Sequence, residues 1–275
     1  MCHMTILDQI VESKRVEIQK HRTRVSLHDF DGFEFFHRPT LSFKEAVQRK
    51  GGELATMPAI IAEFKRASPS KGVFAPDSVP MDQCSAYANG GAAACSILTD
   101  SPFFHGSLVD LQAIRREVEL PLLRKDFILD PYQVFEAKAY GADAILLIER
   151  ILSPIQIQEL LDAAGECELD VLMEVDAADV WSSIEGYQES IAAVGMNSRN
   201  LATFDTDADH GLSELQDIPS TVIRVMESGI QGPEPLFACA THHIDAALIG
   251  EALMRSADPA SLLQQWKQYV NHQLH

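Results

Sequence analysis

Residues 122–148 read LLRKDFILDPYQVFEAKAYGADAILLI. The stretch begins in one apolar run of strand length, Pro121–Phe127, and ends in another, Ala144–Glu149. Asp130 is placed to cap a helix between them. Pro131 is placed to open it, because a proline at the first helical position lacks only an N–H that has no partner there. Runs that are apolar almost throughout suit strands covered on both faces. Strand, helix and strand in this order therefore predict two parallel neighbours joined by a crossover helix.

The same unit recurs outward in both directions. Strands are expected at Ala59–Lys65, Ala94–Asp100, Pro121–Phe127, Ala144–Glu149, Val171–Val175, Ile191–Asn197, Val222–Ser228 and Ala246–Gly250. Helical patterns separate them, among them PMDQCSAYANGGA (80–92), GSLVDLQAIRREV (106–118) and LSPIQIQELLDAAGE (152–166), the last with Ser153 and Pro154 as its start signal. About eight such units in a chain of this length fit a closed (β/α)8 TIM barrel of the α/β class better than an open doubly wound sheet. No GxGxxG follows the first strand, which removes the main support for a dinucleotide-binding fold. The first 50 or so residues stand outside this rhythm. TILDQIVESKRVEIQKHRTRV (5–25) predicts an amphipathic helix with Ile6, Ile10, Val11, Val16 and Ile18 on its apolar stripe, and a second helix is expected near SFKEAVQRK (42–50). The expected organisation is a single domain, 1–275. An N-terminal helical extension over about 1–50 packs across one mouth of a barrel over about 58–275.

Composition narrows the partners. Of 275 residues, 22 are Lys or Arg and 40 are Asp or Glu, a formal charge of −18. Such a surface repels nucleic acid and anionic membranes, and neither is expected as a partner. A small anionic substrate is still admissible, because a few local cations can dominate a site. No apolar run is long enough to span a bilayer. The five cysteines are scattered and unpaired in sequence, which with no secretory leader predicts reduced thiols and a cytoplasmic location. The ten histidines show no HExxH or paired Cys/His spacing, so no metal is expected.

Charge collects where the strands end. The first strand runs into Glu63 and Lys65, the third into Arg124, Lys125 and Asp126, the fifth into Glu174 and the seventh into Glu227-Ser228-Gly229. The sixth ends in Asn197 and continues to Arg199. Taken one at a time these are salt bridges at solvated strand ends. Alternate strands of a barrel contribute side chains to one layer of its interior, however, and active sites lie at the C-terminal mouth. Charges on strands one, three, five and seven are therefore expected to converge. Lysines and carboxylates held together shift one another's pKa and supply an acid and a base at neutral pH. Glycines after the last two strands, Gly229 and Gly250, are suited to bringing backbone N–H groups onto a phosphate.

These residues resemble the indole-3-glycerol-phosphate synthase family of tryptophan biosynthesis. The resemblance runs over nearly the whole chain and rests on IAEFKRASPSKG (61–72), ILTDSPFFHGS (97–107), residues 122–148, LMEVD (172–176), VGMNSRNL (194–201), ESGI (227–230) and LIGEALMR (248–255), in the family's order. It implies a (β/α)8 enzyme without metal or organic cofactor. The implied reaction is closure of the indole ring of 1-(2-carboxyphenylamino)-1-deoxyribulose 5-phosphate with release of carbon dioxide and water. Carried over by position, Lys125 resembles the general acid at the ketone oxygen and Glu174 the general base of dehydration. Lys65 matches the family's substrate lysine, which also reaches the phosphate, with Glu63 and Glu227 shaping the charge around it. Ser68, Asn197 and Arg199 match polar groups of the anthranilate and ribulose site. Phe104 and Phe127 match its apolar walls. Gly229, Gly250 and Glu251 match the phosphate cradle through their backbones, with Ser228 near the ring-closing centre. Weak association with other tryptophan-pathway enzymes is compatible with the resemblance. The chain departs from the family at Met196-Asn197-Ser198-Arg199-Asn200, where the usual pattern is Ile-Asn-Asn-Arg-Asp. Two rival enzymes share the scaffold: a phosphoribosylanthranilate isomerase, which lacks the paired lysines, and a Schiff-base aldolase with Lys65 or Lys125 as nucleophile.

Overall fold

The computed structural model describes residues 4–49, 55–177, 180–197 and 208–275, with 208–210 as backbone only. Its centre is a closed barrel of eight parallel strands: β1 Ala59–Phe64, β2 Ala94–Leu98, β3 Leu122–Lys125, β4 Ala144–Ile148, β5 Asp170–Val175, β6 Ala193–Met196, β7 Arg224–Met226 and β8 Ala246–Ile249. Each strand pairs with the next, and β8 closes on β1 with Ala59 opposite Ala246. Except for β5, which gains Asp170, the strands are shorter than the apolar runs that predict them, most of all β7. The residues beyond each end turn into the loops of the C-terminal mouth.

Local chemistry sets the helices between strands. The Asp130 side chain accepts a hydrogen bond from Tyr132 N at 2.9 Å, and Pro131 opens the helix Pro131–Ala139. Ser153 and Gln156 form a reciprocal capping box ahead of Pro154–Glu166. The crossover between β6 and β7 includes a helix, Ala208–Asp217. Side chains of alternating strand positions divide into two cores. One set lies between sheet and helices. The other, with Ile61, Leu123, Leu146, Leu172, Val225 and Leu248, fills the barrel interior. Each such residue, fully buried, contributes on the order of 1.5–3 kcal/mol.

The N-terminal extension serves both ends of the barrel, where the sequence predicts one. Its second helix, Phe43–Val47, inserts the fully buried Phe43 and Val47 among the interior residues at the N-terminal ends of the strands, including Ala94, Ala144 and Ala246. Its first helix, α1, Ile6–Arg24, lies at the opposite mouth, where Thr5, Ile6, Leu7 and Ile10 line the large cavity. The predicted stripe needs one correction. Val16 is exposed, and the buried line of α1 is Ile10, Lys14 and Ile18, spaced by four residues.

Candidate active site

A cavity of about 260 Å³ opens at the C-terminal mouth. Thirteen of the fourteen residues singled out by the sequence line it: Glu63, Lys65, Ser68, Phe104, Lys125, Phe127, Glu174, Asn197, Glu227, Ser228, Gly229, Gly250 and Glu251. Arg199 lies outside the described residues.

The charged layer comes from alternate strands, as barrel geometry requires. Lys125, the last residue of β3, points Nζ at Glu227 Oε2 (2.9 Å) and Glu174 Oε2 (3.1 Å). Lys65, just past β1, pairs with Glu63 of the same strand. The Asn197 amide donates to Glu174 Oε1 at 3.2 Å and its carbonyl oxygen accepts from Ser228 Oγ at 2.6 Å. That chain fixes the amide's orientation and holds Glu174 from the side opposite Lys125. Arg124 does not join this layer, because strand neighbours point to opposite faces; Asp126, one residue past β3, lines the cavity but turns its carboxylate to Lys14, Arg124 and Thr99. Arg124 is buried outside the barrel against Glu136 and Asp126 (2.9 and 3.1 Å), and Asp126 accepts from Thr99 Oγ1 at 2.6 Å.

Three carboxylates and two ammonium groups in one buried layer would leave one negative charge uncompensated. Protonation removes it. Burial, with the Glu174 carboxylate beside it, raises Glu227 to about 8 despite Lys125. Glu174 is also opposed by burial, but Lys125 and the hydrogen bonds to it hold its pKa below the ordinary value. Burial works against the Lys125 ammonium, yet Glu227, Glu174 and Glu63 outweigh it and raise its pKa. At neutral pH the layer therefore presents a protonated ammonium, Lys125, beside an ionised carboxylate, Glu174.

Two glycines make room for this cluster. A Cβ on Gly195 of β6 would collide with the Glu227 carboxylate, and one on Gly250 would collide with Glu63. Spacing along the chain assigns Gly195 no role, since its neighbour Glu227 comes from another strand. Apolar walls complete the cavity: the Phe104 and Phe127 rings lie 5.9 Å apart between centroids, tilted by 36°. On another side of the cavity, Gly229 adopts φ 84°, a backbone that side chains disfavour, directly after Ser228. Glu251 is drawn aside by Arg255, its Oε1 accepting from Nε at 3.0 Å. Its carboxylate is thus pinned by a cation where an anionic ligand would otherwise meet it. Among the described residues no group of three His, Cys, Asp or Glu side chains is arranged to hold a metal ion, and no helix is long and apolar enough to cross a membrane.

Comparison with known proteins agrees with this architecture. The family model for indole-3-glycerol phosphate synthase matches residues 7–266. The chain is 39% identical over 261 residues to the indole-3-glycerol phosphate synthase of Mycobacterium sp. (strain KMS), covering 95% of this chain and 93% of the relative. It is 40% identical over 260 residues to that of Acidithiobacillus ferrooxidans, covering 94% and 97%. Among solved structures it is similar in fold to 3-hexulose-6-phosphate synthase from Salmonella typhimurium, with a TM-score of 0.61 and 15% identity over 79% of this chain and all of the other. It is similar likewise to the tryptophan synthase alpha subunit of Legionella pneumophila, with a TM-score of 0.60 and 13% identity over 78% and 93%.

Proposed function

The chain belongs to the indole-3-glycerol phosphate synthase family, and we propose that Lys125 and Glu174 are the acid and the base of its reaction. That reaction is the decarboxylating and dehydrating ring closure of 1-(2-carboxyphenylamino)-1-deoxyribulose 5-phosphate. In the first step the aromatic carbon bearing the carboxylate forms a bond to the ketone carbon, and the ketone oxygen must gain a proton. Lys125 donates it. Carbon dioxide leaves, and its bonding electrons restore the aromatic ring. In the second step a hydroxyl leaves as water and a C–H proton is lost, which requires a base, Glu174, and an acid at the leaving oxygen, Lys65. Protonated Glu227, bonded to Lys125, is placed to return the proton that Lys125 spends.

The observation that carries this assignment is the position of Lys125 Nζ between Glu174 and Glu227, in the cavity that Phe104 and Phe127 also line. The remaining residues follow from their places in the same cavity. Phe104 and Phe127 hold the anthranilate ring, and Ser68, Asn197 and Ser228 its polar partners. Gly229, Gly250 and Glu251 offer backbone N–H groups to the phosphate, with Lys65 reaching it too. Arg199 is suited to the substrate carboxylate by its planar fork. Pairing with two carboxylates also counts against Schiff-base chemistry, because a lysine held protonated is a poor nucleophile.

The test is indole fluorescence on mixing the purified protein with the substrate, with Lys125→Ala and Glu174→Gln alongside. Emission should rise with wild type and fall by roughly 10²-fold or more in each variant. Equal emission from all three would move the acid and base to Lys65 and Glu63.

A further inference from the structure

We infer that Lys14, on α1, is a positioning residue for the active site: its buried ammonium locks together the two segments that carry Lys125, Phe127 and Phe104. The inference rests on the roles proposed above for those three residues. Lys14 is 1% exposed, at the centre of the buried line Ile10–Lys14–Ile18. An unpaired ammonium in such a place would be prohibitively costly, so what it touches explains its presence. Its Nζ lies 2.9 Å from Asp126 Oδ1, 3.0 Å from Asp100 Oδ2 and 2.9 Å from Glu17 Oε1.

Asp126 lines the cavity and Asp100 does not, and each is tied to residues of the proposed site. Asp126 follows Lys125 directly, and its Oδ1 also accepts from the backbone N–H of Phe127 at 2.8 Å. Asp100 caps the short helix Ser101–Phe104, accepting from Phe103 N at 2.9 Å, and so sets where Phe104 points. The two rings, 5.9 Å apart, are thus mounted on loops joined through one ammonium group. The same helix brings Ile6, Leu7 and Ile10 to the cavity wall. A second contact of α1 reaches the same network, His21 Nδ1 to Glu136 Oε1 at 2.8 Å, with Glu136 in turn on Arg124. Among the described residues only Lys14 pairs with both aspartates. The two loops could each be stable without being aligned, and Lys14 supplies the alignment.

Neutralising two buried carboxylates is a role Lys14 would also fill in a purely structural part, and two variants separate the possibilities. Lys14→Met removes the ammonium at nearly constant shape and leaves Asp100 buried without a cation. Lys14→Met/Asp100→Asn removes that orphaned charge while the Asn oxygen keeps the cap on Phe103 N, so it should regain much of the thermal stability. We would measure kcat and KM for 1-(2-carboxyphenylamino)-1-deoxyribulose 5-phosphate well below each unfolding midpoint, with Lys125→Ala as a control. A positioning role requires kcat to fall about tenfold to a hundredfold in both Lys14 variants, with KM raised and no recovery in the stabilised double variant. Wild-type kcat and KM in the folded variants, or recovery in step with stability, would overturn the inference while leaving the assignment of Lys125 in place. Full activity in Lys125→Ala would overturn both.

Discussion

Gly195 and Glu227 share one space: the bare backbone of β6 stands where any side chain would meet the Glu227 carboxylate. Gly195 is also the strand partner of Glu174, so one missing side chain lets two carboxylates approach the same ammonium. Gly195→Ala should push Glu227 off Lys125 Nζ, from its present 2.9 Å, without removing any charged group. A displacement of this size at a reacting centre lowers kcat about 10²-fold. Steady-state kinetics with circular dichroism to verify folding would check it. An unchanged kcat would mean that the placement of Glu227 does not matter to the reaction.

At the proposed phosphate site the decisive contact is between Glu251 and Arg255. Arg255 also lies over the Phe74 ring at 5.2 Å, which fixes its guanidinium while it holds the carboxylate at 3.0 Å. Arg255→Ala frees Glu251 to approach the bound phosphate. Repulsion of about 1 kcal/mol at a partly exposed site corresponds to a KM raised roughly fivefold, with kcat unaltered. A fall in kcat with constant KM would place Arg255 in the chemistry and not in binding. The double variant Arg255→Ala/Glu251→Gln should restore KM.

Much of this site was legible because strand alternation is strict. Glu63 and Lys65, two apart, share a face, and the odd strands of a barrel feed one layer, so convergence of Lys125, Glu174 and Glu227 follows from spacing alone. The same period turns Arg124 and the Asp126 carboxylate away from Lys125, and grouping them with it overlooked that. Lys14 was readable in principle, since a lysine four residues from both Ile10 and Ile18 sits on the helix's apolar line. The stripe through Val16 hid it. Gly195 was not readable, because a glycine's use depends on which side chain arrives from across the fold. Nor does a local pattern say that Phe43 and Val47 reach the far end of the barrel from α1.

Glu227 predicts a pH dependence with a definite sign. Its ordinary value is 4.5, and burial together with Glu174 raises it to about 8 in the folded protein. Between those values the native state keeps a proton that the unfolded chain has released. The stability this contributes is complete below about pH 4.5 and is lost as pH rises through about 8. The opposite shift of Glu174 acts at lower pH, and that of Lys125 above its ordinary 10.5, so neither masks this window. Glu227→Gln cannot ionise, and its melting temperature relative to wild type should climb between pH 5 and pH 9. A constant difference across that range would mean that Glu227 titrates normally.

The last prediction concerns the end of the barrel away from the chemistry. Phe43 is fully buried among interior residues at the N-terminal ends of the strands, with Val47 one turn on. It is not among the residues that line the cavity at the opposite mouth. In barrels of this kind that face serves stability and the opposite one serves reaction. Phe43→Ala removes a large side chain from a site bounded by strands that cannot collapse inward, and should cost about 3–5 kcal/mol. Urea unfolding followed by circular dichroism would measure it. The folded variant should keep wild-type kcat and KM at low temperature, since α1 and the strand ends are untouched. A loss of kcat without loss of stability would show that the plug is coupled through the barrel interior to Lys125, contrary to the division of labour between the two faces.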